Sequence, residues 1–398
     1  MKAHPQLRLL PGRDYTLRHG HPWVFSGAFR TLPPDIPPGA VVDALDNEGG
    51  WLARGHLNPA NSLAFRALTW DEREEIDVAF YARRSQRAAA LRALLPTTVT
   101  AYRLVHAEAD GLPGLIVDRY DRWLVAQFHT AGVERDRQMI LDAMESAIQP
   151  AGILTRDDVN ARGREGLPVG GAAVAYGAVP ETIEIREGAV GYLVDLYHGQ
   201  KTGFFLDQRE KRARIAELAP HAASLLNGFS YSGGFALAGL SSNPALRTVN
   251  VDSSAPALEL ARRNYALNGH DPAAHEFIDS DVTRYLQRAS DTGEMFEIVV
   301  LDPPAFAKSL SAKEKALRAY ERLNTLGARV VAPGGLLLTC SCSGGVDYAE
   351  FETAVRIALA RAGRTAQIIT SFGPSLDHPT LPGFVEDRYL KALLLRAL

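Results

Sequence analysis

The stretch "ASLLNGFSYSGGFALA", residues 223–238, decides the fold class. Its apolar start is typical of a short buried strand, and a turn with Gly228, Gly233 and Gly234 leads into a helical pattern. The apolar runs "RTVNVD", "EFIDSD", "EIVVLD" and "GLLLTC" then alternate with helical patterns. Such alternation predicts an α/β fold with a parallel sheet covered by helices on both faces. The later runs "AQIITSF" and "YLKALLLRAL" predict an antiparallel hairpin at the sheet edge.

The glycine turn indicates the class of ligand. Its spacing is not G-x-G-x-x-G, in which the second glycine lets backbone approach a pyrophosphate. A nicotinamide-dependent oxidoreductase is therefore disfavoured, whereas a cofactor with adenosine but no pyrophosphate fits. The turn alone does not identify that cofactor.

Acidic residues follow the next three predicted strands. Asp252 comes after Gly228 near the spacing of about 20 residues at which an acid holds ribose hydroxyls. Asp281 and Asp302 end the next two strands, and ligands in open α/β sheets bind at the carboxyl ends of strands. Each acid alone could equally be a helix cap or turn former. Their recurrence at successive strand ends favours an S-adenosylmethionine pocket.

The rest of the chain predicts two more domains. Residues 1–72 are rich in Pro, Gly and short β-type runs and form a β-rich module. Residues 73–188 hold a connecting helix, expected over 71–95 with its acids leading, and a small α+β domain whose helix spans 134–148. In that domain Glu108 and Asp110 are expected to be turn formers with solvated carboxylates, with a chemical role as the alternative. Residues 189–398 form the α/β domain.

Bulk composition excludes several classes of protein. The 398 residues carry a net charge of −3, which leaves the nature of any partner open. No apolar run approaches the roughly 20 residues of a spanning helix, and the N-terminus lacks signal-peptide features, so we expect a cytoplasmic protein without a membrane partner. The two cysteines supply too few ligands for structural zinc, and His19, His21 and His56 show no metal-ligand spacing, so no metal is expected.

Several motifs together carry a family resemblance over nearly the whole chain. "LNGFSYSGGFAL", "VNVDSS", "LDPPAFAKS" and "LLLTCSCSGG" resemble the RlmI-type large-subunit ribosomal RNA cytosine-C5 methyltransferases. "HPWVFSGAF" resembles that family's N-terminal PUA domain, "RLVHAEADGLPGLIVDRY" its central domain and "DHPTLPGFVEDRYLKALLLR" its C-terminus. The resemblance implies a class I, Rossmann-like methyltransferase domain behind a PUA β-barrel, with S-adenosylmethionine as cofactor and 23S ribosomal RNA, naked or in an assembling subunit, as partner. It leaves a homodimer open.

The same resemblance implies the site residues. Closure over the cofactor would involve Lys201, Phe204, Asp207, Gln208 and Arg209. The methionine part would lie against Asn227, Phe229, Ser230 and Gly233. The ribose would be held by Asp252 beside Ser253, the adenine flanked by Asp281 and Val282, and the transferred methyl bordered by Asp302 and Pro303.

Both cysteines lie in "GGLLLTCSCSGG", residues 334–345. In the resembling enzymes a cysteine after the fifth strand adds to carbon 6 of cytosine. Cys340 lies in a literal "TCS", but counting from Gly334 and Gly335 favours Cys342 as this nucleophile. Cys340 is expected deeper in the same strand as an inert apolar side chain. Asp302 and Lys308 are the candidates for removing the carbon 5 proton or neutralising charge.

Four of the expected RNA contacts lie in "GRDYTLRHGHPWVFSGAFR": Arg13, Arg18, His21 and Trp23. A fifth, Lys308, is expected near the active site. The alternative is that Trp23 and Phe25 belong to the core of the small barrel. Two other functions stay open at this point: an RNA guanine methyltransferase, which needs no nucleophilic cysteine, and a non-catalytic PUA-containing RNA-binding or assembly factor.

Overall fold

A computed structural model describes residues 4–306 and 313–398, and contacts divide the chain into two units. The first unit comprises Met1–Ile185, Val194–Leu206 and Leu376–Val385. The second comprises Arg186–Leu193, Asp207–Ser375 and Glu386–Leu398. Within the described parts of the chain, every helix is too short or too polar to cross a membrane.

The N-terminal sheet of the first unit closes on itself. Its elements are β1 (Gln6–Arg8), α1 (Tyr15–Arg18), β2 (Trp23–Phe25), β3 (Ala40–Leu45), β4 (Trp51–Leu57) and β5 (Leu63–Thr69). The strand order β1-β3-β4-β5-β2 places β1 and β2 at opposite edges. These edges meet, because Leu9 bridges Phe29 and the Arg30 N–H donates to the Arg8 carbonyl at 2.9 Å. The predicted β-barrel is confirmed.

A second sheet of the first unit follows the connecting helix. Its elements are α2 (Val78–Arg92), β6 (Ala101–His106), β7 (Leu115–Tyr120), β8 (Trp123–Phe128), α3 (Ala131–Arg135), α4 (Arg137–Ile148), β9 (Gly152–Arg156), α5 (Asn160–Arg164) and β10 (Ala172–Gly177). The order is β10-β9-β8-β7-β6, and the β8–β9 pair is parallel. Phe80 of α2, Leu104 of β6 and Met144 of α4 share one buried cluster, so both helices pack on the sheet. This is the α+β arrangement that the sequence predicts.

Both helix predictions in this region need correction. Helix α2 begins only after Asp77, whose carboxylate accepts the Phe80 N–H at 2.7 Å, so the preceding acidic run lies outside the helix. The helix predicted over 134–148 is broken at Asp136 into α3 and α4. Asp136 turns its carboxylate to Tyr81 Oη at 2.6 Å and His56 Nε2 at 2.9 Å, and a buried carboxylate needs such partners. His56 is thus engaged with a carboxylate.

The expectation of solvated carboxylates at Glu108 and Asp110 is wrong. Asp110 receives both terminal nitrogens of the buried Arg92 guanidinium at 2.7 and 2.8 Å, and Arg92 also donates to the Asp377 carbonyl at 2.8 Å. Glu108 accepts the Trp23 indole N–H at 2.8 Å. Both acids therefore serve packing within the first unit.

The second unit is built on a seven-stranded sheet. A hairpin of β11 (Thr182–Glu187) and β12 (Val190–Asp195) comes before it in the chain, and of this hairpin only Arg186–Leu193 belongs to the second unit. The remaining elements are α6 (Arg209–Leu218), β13 (Ser224–Gly228), α7 (Gly234–Ser242), β14 (Arg247–Asp252), α8 (Ala255–Leu267), β15 (Glu276–Asp279), α9 (Val282–Thr292), β16 (Phe296–Leu301), α10 (Lys313–Val330), β17 (Val331–Ser341), α11 (Tyr348–Arg361), β18 (Ala366–Phe372) and β19 (Lys391–Ala397).

The sheet order β15-β14-β13-β16-β17-β19-β18 reverses direction at β13. The first five strands are parallel, and β19 is antiparallel to both β17 and β18, as the sequence predicts. A ligand crevice is expected where the order reverses, at the carboxyl ends of β13, β14 and β16. In β17 the register slips from Val331 to Leu336, so the Gly334–Gly335 turn forms a bulge inside a strand that begins earlier than predicted.

Candidate active site

The glycine turn after β13 is a strained, tightly packed loop. Phe229 and Tyr231 have φ values of 60° and 45°, a region that side chains seldom adopt. Gly233 caps α7 with φ 80°, and a Cβ there would lie 3.2 Å from the Tyr265 ring. Backbone conformations of this kind persist where the surroundings hold them and are concentrated at functional sites.

Asp252 braces this turn from the end of β14. Its two carboxylate oxygens accept the N–H groups of Tyr231 and Ser254, each at 2.9 Å. Asp252 is therefore a turn former, which is the alternative that the sequence left open, and these hydrogen bonds fix its carboxylate beside the glycine loop. The neighbouring Ser253 is exposed.

Two buried polar atoms beside the loop lack a protein partner. The Asn227 Oδ1 and the Ser230 Oγ have no hydrogen bond among the described residues, although both side chains are buried. Leaving a buried polar group unsatisfied costs about 1–3 kcal/mol, so such atoms in a native site call for a ligand or water. A ligand with N–H or O–H donors, such as the amino-acid part of S-adenosylmethionine, fits these residues.

Asp281 and Val282 begin α9 next to the same loop. The Asp281 Oδ1 accepts the Arg284 N–H at 2.9 Å as a helix cap. Val282 is buried, and its Cγ1 lies 3.0 Å from the point where a Cβ on Gly228 would stand. Asp281 also borders an open groove of about 810 Å³ along α9 and α10.

Asp302 and Pro303, after β16, meet residues from other elements of the unit. The Gln208 amide donates to the Asp302 Oδ1 at 2.8 Å. Beside Gln208, the Asp207 carboxylate accepts the Tyr389 hydroxyl at 2.6 Å, and Arg209 forms an ion pair with Glu187 at 3.7 Å.

Lys201 and Phe204 belong to the first unit. Lys201 has φ 56° and places its ammonium 4.5 Å from the centroid of the Phe205 ring. Phe204 is buried, and its N–H donates to the Tyr120 hydroxyl at 3.1 Å. Their expected part in cofactor closure stays a prediction.

The two cysteines differ as the sequence predicts. Cys340 lies within β17, fully buried, and burial together with the nearby Asp302 charge raises the pKa of its thiol well above the usual value. Cys342 follows the last residue of β17 and is half-buried. Its Sγ lies 3.6 Å from the Pro303 carbonyl oxygen, so the ends of β16 and β17 bring the thiol to the Asp302–Pro303 segment.

Lys391 and Tyr320 border Cys342 and were not singled out from sequence. The Lys391 ammonium donates to the carbonyls of Ser343 at 2.8 Å and Val346 at 2.6 Å, and burial lowers the pKa of Lys391 to about 8. The Tyr320 hydroxyl lies 2.9 Å from the Ser343 Oγ. The available signal for Lys391 was a lone lysine at the head of the apolar run "KALLL".

Two of the four expected RNA contacts of the first unit line one groove. Arg13, Trp23 and Phe25 line a groove of about 400 Å³. Phe25 is 56% exposed, so the alternative of a core position is wrong for that ring. Trp23 is half-buried, with its ring centroid 4.7 Å from that of Phe384. Arg18 forms ion pairs with Asp14 and Asp46. The His21 Nδ1 accepts the Trp23 N–H. Lys308 lies outside the described residues.

A possible metal-ligand cluster in residues 4–306 and 313–398 involves neither cysteine. Glu181, Asp195 and His198 bring one ligand atom each within 4.8 Å of the others, but Glu181 and His198 are exposed. The histidines considered from the sequence are not part of it.

Comparisons with known proteins indicate the family of the chain. The family model described as S-adenosylmethionine-dependent methyltransferase matches residues 168–395, and that of a PUA-like domain matches residues 7–70. Proteins named ribosomal RNA large subunit methyltransferase I are similar over nearly their whole length: that of Cronobacter sakazakii is 38% identical, covering 97% of this chain and 98% of the relative, and that of Photobacterium profundum is 39% identical, covering 96% and 97%. A solved Streptococcus mutans structure described as an S-adenosylmethionine-dependent methyltransferase shares the fold, with TM-score 0.84, 21% identity, and coverage of 98% of this chain and 100% of that one.

Proposed function

The chain belongs to the S-adenosylmethionine-dependent methyltransferases and carries a PUA-like domain, and from this premise we propose that it methylates carbon 5 of a cytosine in large-subunit ribosomal RNA. The names of its full-length relatives support the ribosomal substrate. The observation that supports methylation at carbon 5 is the position of the half-buried Cys342 thiol, whose Sγ lies 3.6 Å from the Pro303 carbonyl oxygen, just after β16.

Cytosine carbon 5 needs a nucleophilic catalyst because it is too poor a nucleophile to attack a methyl donor directly at a useful rate. In the proposed reaction the Cys342 thiolate adds through Sγ to carbon 6, and the electron pair of the 5,6 double bond moves to carbon 5. When bound, S-adenosylmethionine would supply an electrophilic methyl group to that carbon and would leave as S-adenosylhomocysteine. Loss of the carbon 5 proton then restores the double bond and expels Sγ as the thiolate.

The residues around the glycine loop are proposed to hold the cofactor. Asn227 and Ser230 would accept hydrogen bonds from its amino-acid part, since their oxygens are buried without a protein partner. Asp252 would face the ribose hydroxyls, and the Gly228–Val282 contact would form the wall behind the adenine. These roles assign each unsatisfied or rigid group a partner of matching chemistry.

Asp302 is proposed to accept the proton from carbon 5. The Gln208 amide donates to the Asp302 Oδ1 at 2.8 Å, which fixes the carboxylate next to Pro303, whose carbonyl oxygen lies 3.6 Å from the Cys342 Sγ. A half-buried carboxylate beside the thiol is suited to general-base work once the pyrimidine ring excludes water.

Arg13 and Trp23 are proposed to meet the RNA through the groove of the first unit. A guanidinium there would contact phosphate, and the exposed Phe25 ring offers a stacking surface for an unpaired base. Removing the Arg13 charge should weaken binding and reduce the salt slope by about one.

The central experiment compares two single-thiol variants. Cys342→Ser should abolish transfer of labelled methyl groups to ribosomal RNA from cells lacking the enzyme, while S-adenosylmethionine binding survives. Cys340→Ser is the matched control and should keep most activity. RNA with 5-fluorocytosine at the target should form a stable adduct with Cys340→Ser but not with Cys342→Ser, because fluorine cannot leave as a proton. Full activity of Cys342→Ser would reject the proposal and favour methylation of guanine.

A further inference from the structure

Lys391 occupies an unusual place for a lysine. It is 5% exposed at the start of β19, inside the sheet, where its register partner is Ser341 of β17. Lysine is rarely buried unless its charge has a partner. Its Nζ donates to the carbonyls of Ser343 and Val346, both in the turn that follows Cys342. The Lys391 side chain therefore fixes, by two hydrogen bonds, the backbone that follows Cys342.

The electrostatic surroundings of Lys391 point to the same thiol. Burial lowers the pKa of Lys391 to about 8, and the strongest opposing influence is the negative charge of a Cys342 thiolate, followed by Asp347 and Glu350. Asp347 is committed to capping α11 through the Glu350 N–H, and Glu350 forms an ion pair with Lys313. The acids near Lys391 are thus engaged elsewhere.

Tyr320 and Cys340 also lie near Cys342, but neither a phenol nor a thiol carries a positive charge. Burial raises the pKa of Tyr320, whose hydroxyl is 2.9 Å from the Ser343 Oγ. Cys340 is fully buried within β17, and Lys211, whose positive charge lowers the pKa of Cys340, donates to the carbonyls of Asp207 and Gly373. Lys391 thus brings a buried positive charge to the turn that carries Cys342.

We propose that Lys391 is a positioning residue that fixes the turn after Cys342 and, as a buried ammonium, favours the thiolate form of the Cys342 nucleophile. The inference rests on the function proposed above. The Sγ–H bond breaks and the proton passes to solvent. The thiolate that remains is stabilised by the nearby ammonium, which donates to the carbonyls of Ser343 and Val346 and so keeps its place beside the turn.

The test titrates the thiol without RNA or cofactor. In the full chain with Cys340→Ala, Cys342 is the remaining thiol, and its rate of alkylation by iodoacetamide is measured from pH 6 to 10. Lys391→Gln keeps an amide able to donate to both carbonyls but removes the charge. We expect its alkylation midpoint to rise by about one pH unit, which is about a tenfold lower rate at pH 7.

Three comparisons decide the result. Lys391→Arg keeps the charge and should stay close to the parent midpoint, and Lys211→Gln, at the other buried lysine, should leave the Cys342 midpoint unchanged. An unshifted Lys391→Gln, or an equal shift in either comparison variant, overturns the inference. Should Lys391→Gln fail to fold by circular dichroism, the parent decides: a midpoint below about 8.5, the value of a free cysteine, supports the inference, and one at or above it overturns it.

This titration separates the two proposals. If Cys342→Ser retains methyl transfer while Lys391→Gln shifts the thiol midpoint, the proposed nucleophile is wrong but the lysine–thiol pair stands. If Cys342→Ser is inactive and the midpoint does not move, the nucleophile stands and Lys391 serves only the backbone turn.

Discussion

Arg212→Met should destabilise the second unit far more than the same change two residues later in α6. Arg212 is 4% exposed and donates to both carboxylate oxygens of Glu187, at 2.7 and 2.6 Å. Removing one partner of a buried pair leaves the other charge uncompensated, which costs about 3–5 kcal/mol. Because Arg209 stays 3.7 Å from Glu187 and compensates part of that charge, we expect about 3 kcal/mol.

The matched control is Arg214→Met. Arg214 pairs with Glu217 in the same helix, but both side chains are about half exposed, and exposed pairs contribute about 0–1 kcal/mol. The free energy of unfolding is measured by urea titration followed by far-ultraviolet circular dichroism, because all four tryptophans lie in the first unit and their fluorescence does not report directly on this helix.

A double variant completes the cycle. With Arg212→Met and Glu187→Met together, neither member of the Arg212–Glu187 pair is left facing the space of a lost partner, so the loss should be smaller than the sum of the two single losses by about 2 kcal/mol. Equal losses for Arg212→Met and Arg214→Met, or simple additivity in the double variant, would refute the reasoning.

Three further predictions concern other parts of the molecule. Gly233→Ala should lower the free energy of unfolding by more than Gly269→Ala. Both glycines have φ near +80° (80° and 77°), where an alanine costs about 1–2 kcal/mol, but of the two only the Cβ at Gly233 would contact neighbouring side chains. Urea titration of both variants measures the difference. Iodoacetamide at pH 8 should label one thiol per native chain, Cys342, and two after denaturation, because burial raises the pKa of Cys340; mass spectrometry of the peptides checks this, and rapid labelling of Cys340 would contradict it. Burial lowers the pKa of His129 from 6.5 to about 4, so between these pH values the unfolded chain binds a proton that the folded chain does not. The folded state therefore loses about 2.5 kcal/mol as the pH falls from 7 to 4.5, and His129→Gln should lose that much less over the same range in urea titrations.

The strand ends of the second unit were predictable because apolar runs mark buried parallel strands. Parallel neighbours end at the same edge, so Asp302 after β16 and Cys342 after β17 had to come close once the order β16–β17 was known. The deeper position of Cys340 follows from the two-residue repeat of a strand. Local patterns were sufficient at these positions.

Features that depend on distant pairing were not predictable. Lys391 reaches the turn after Cys342 only because β19 runs antiparallel beside β17, a register that no local pattern contains. The break at Asp136 depends on His56 and Tyr81 from other elements. The start of α2 was misplaced because one well-placed cap, Asp77, outweighs the dipole preference of the acidic run before it.

The position of β18 at the end of the sheet order has a consequence for handling the protein. One side of β18 pairs with β19, and no strand of the described residues pairs with the other. The strand "AQIITSF" carries no charge and no proline, and it exposes Ile368 and Ile369 by 48% and 50%. An open, uncharged edge with exposed isoleucines is a template for intermolecular strand addition. Aggregation during concentration or refolding should therefore start at this edge. Ile369→Lys should suppress it, because a charged side chain on an edge strand opposes pairing with another chain.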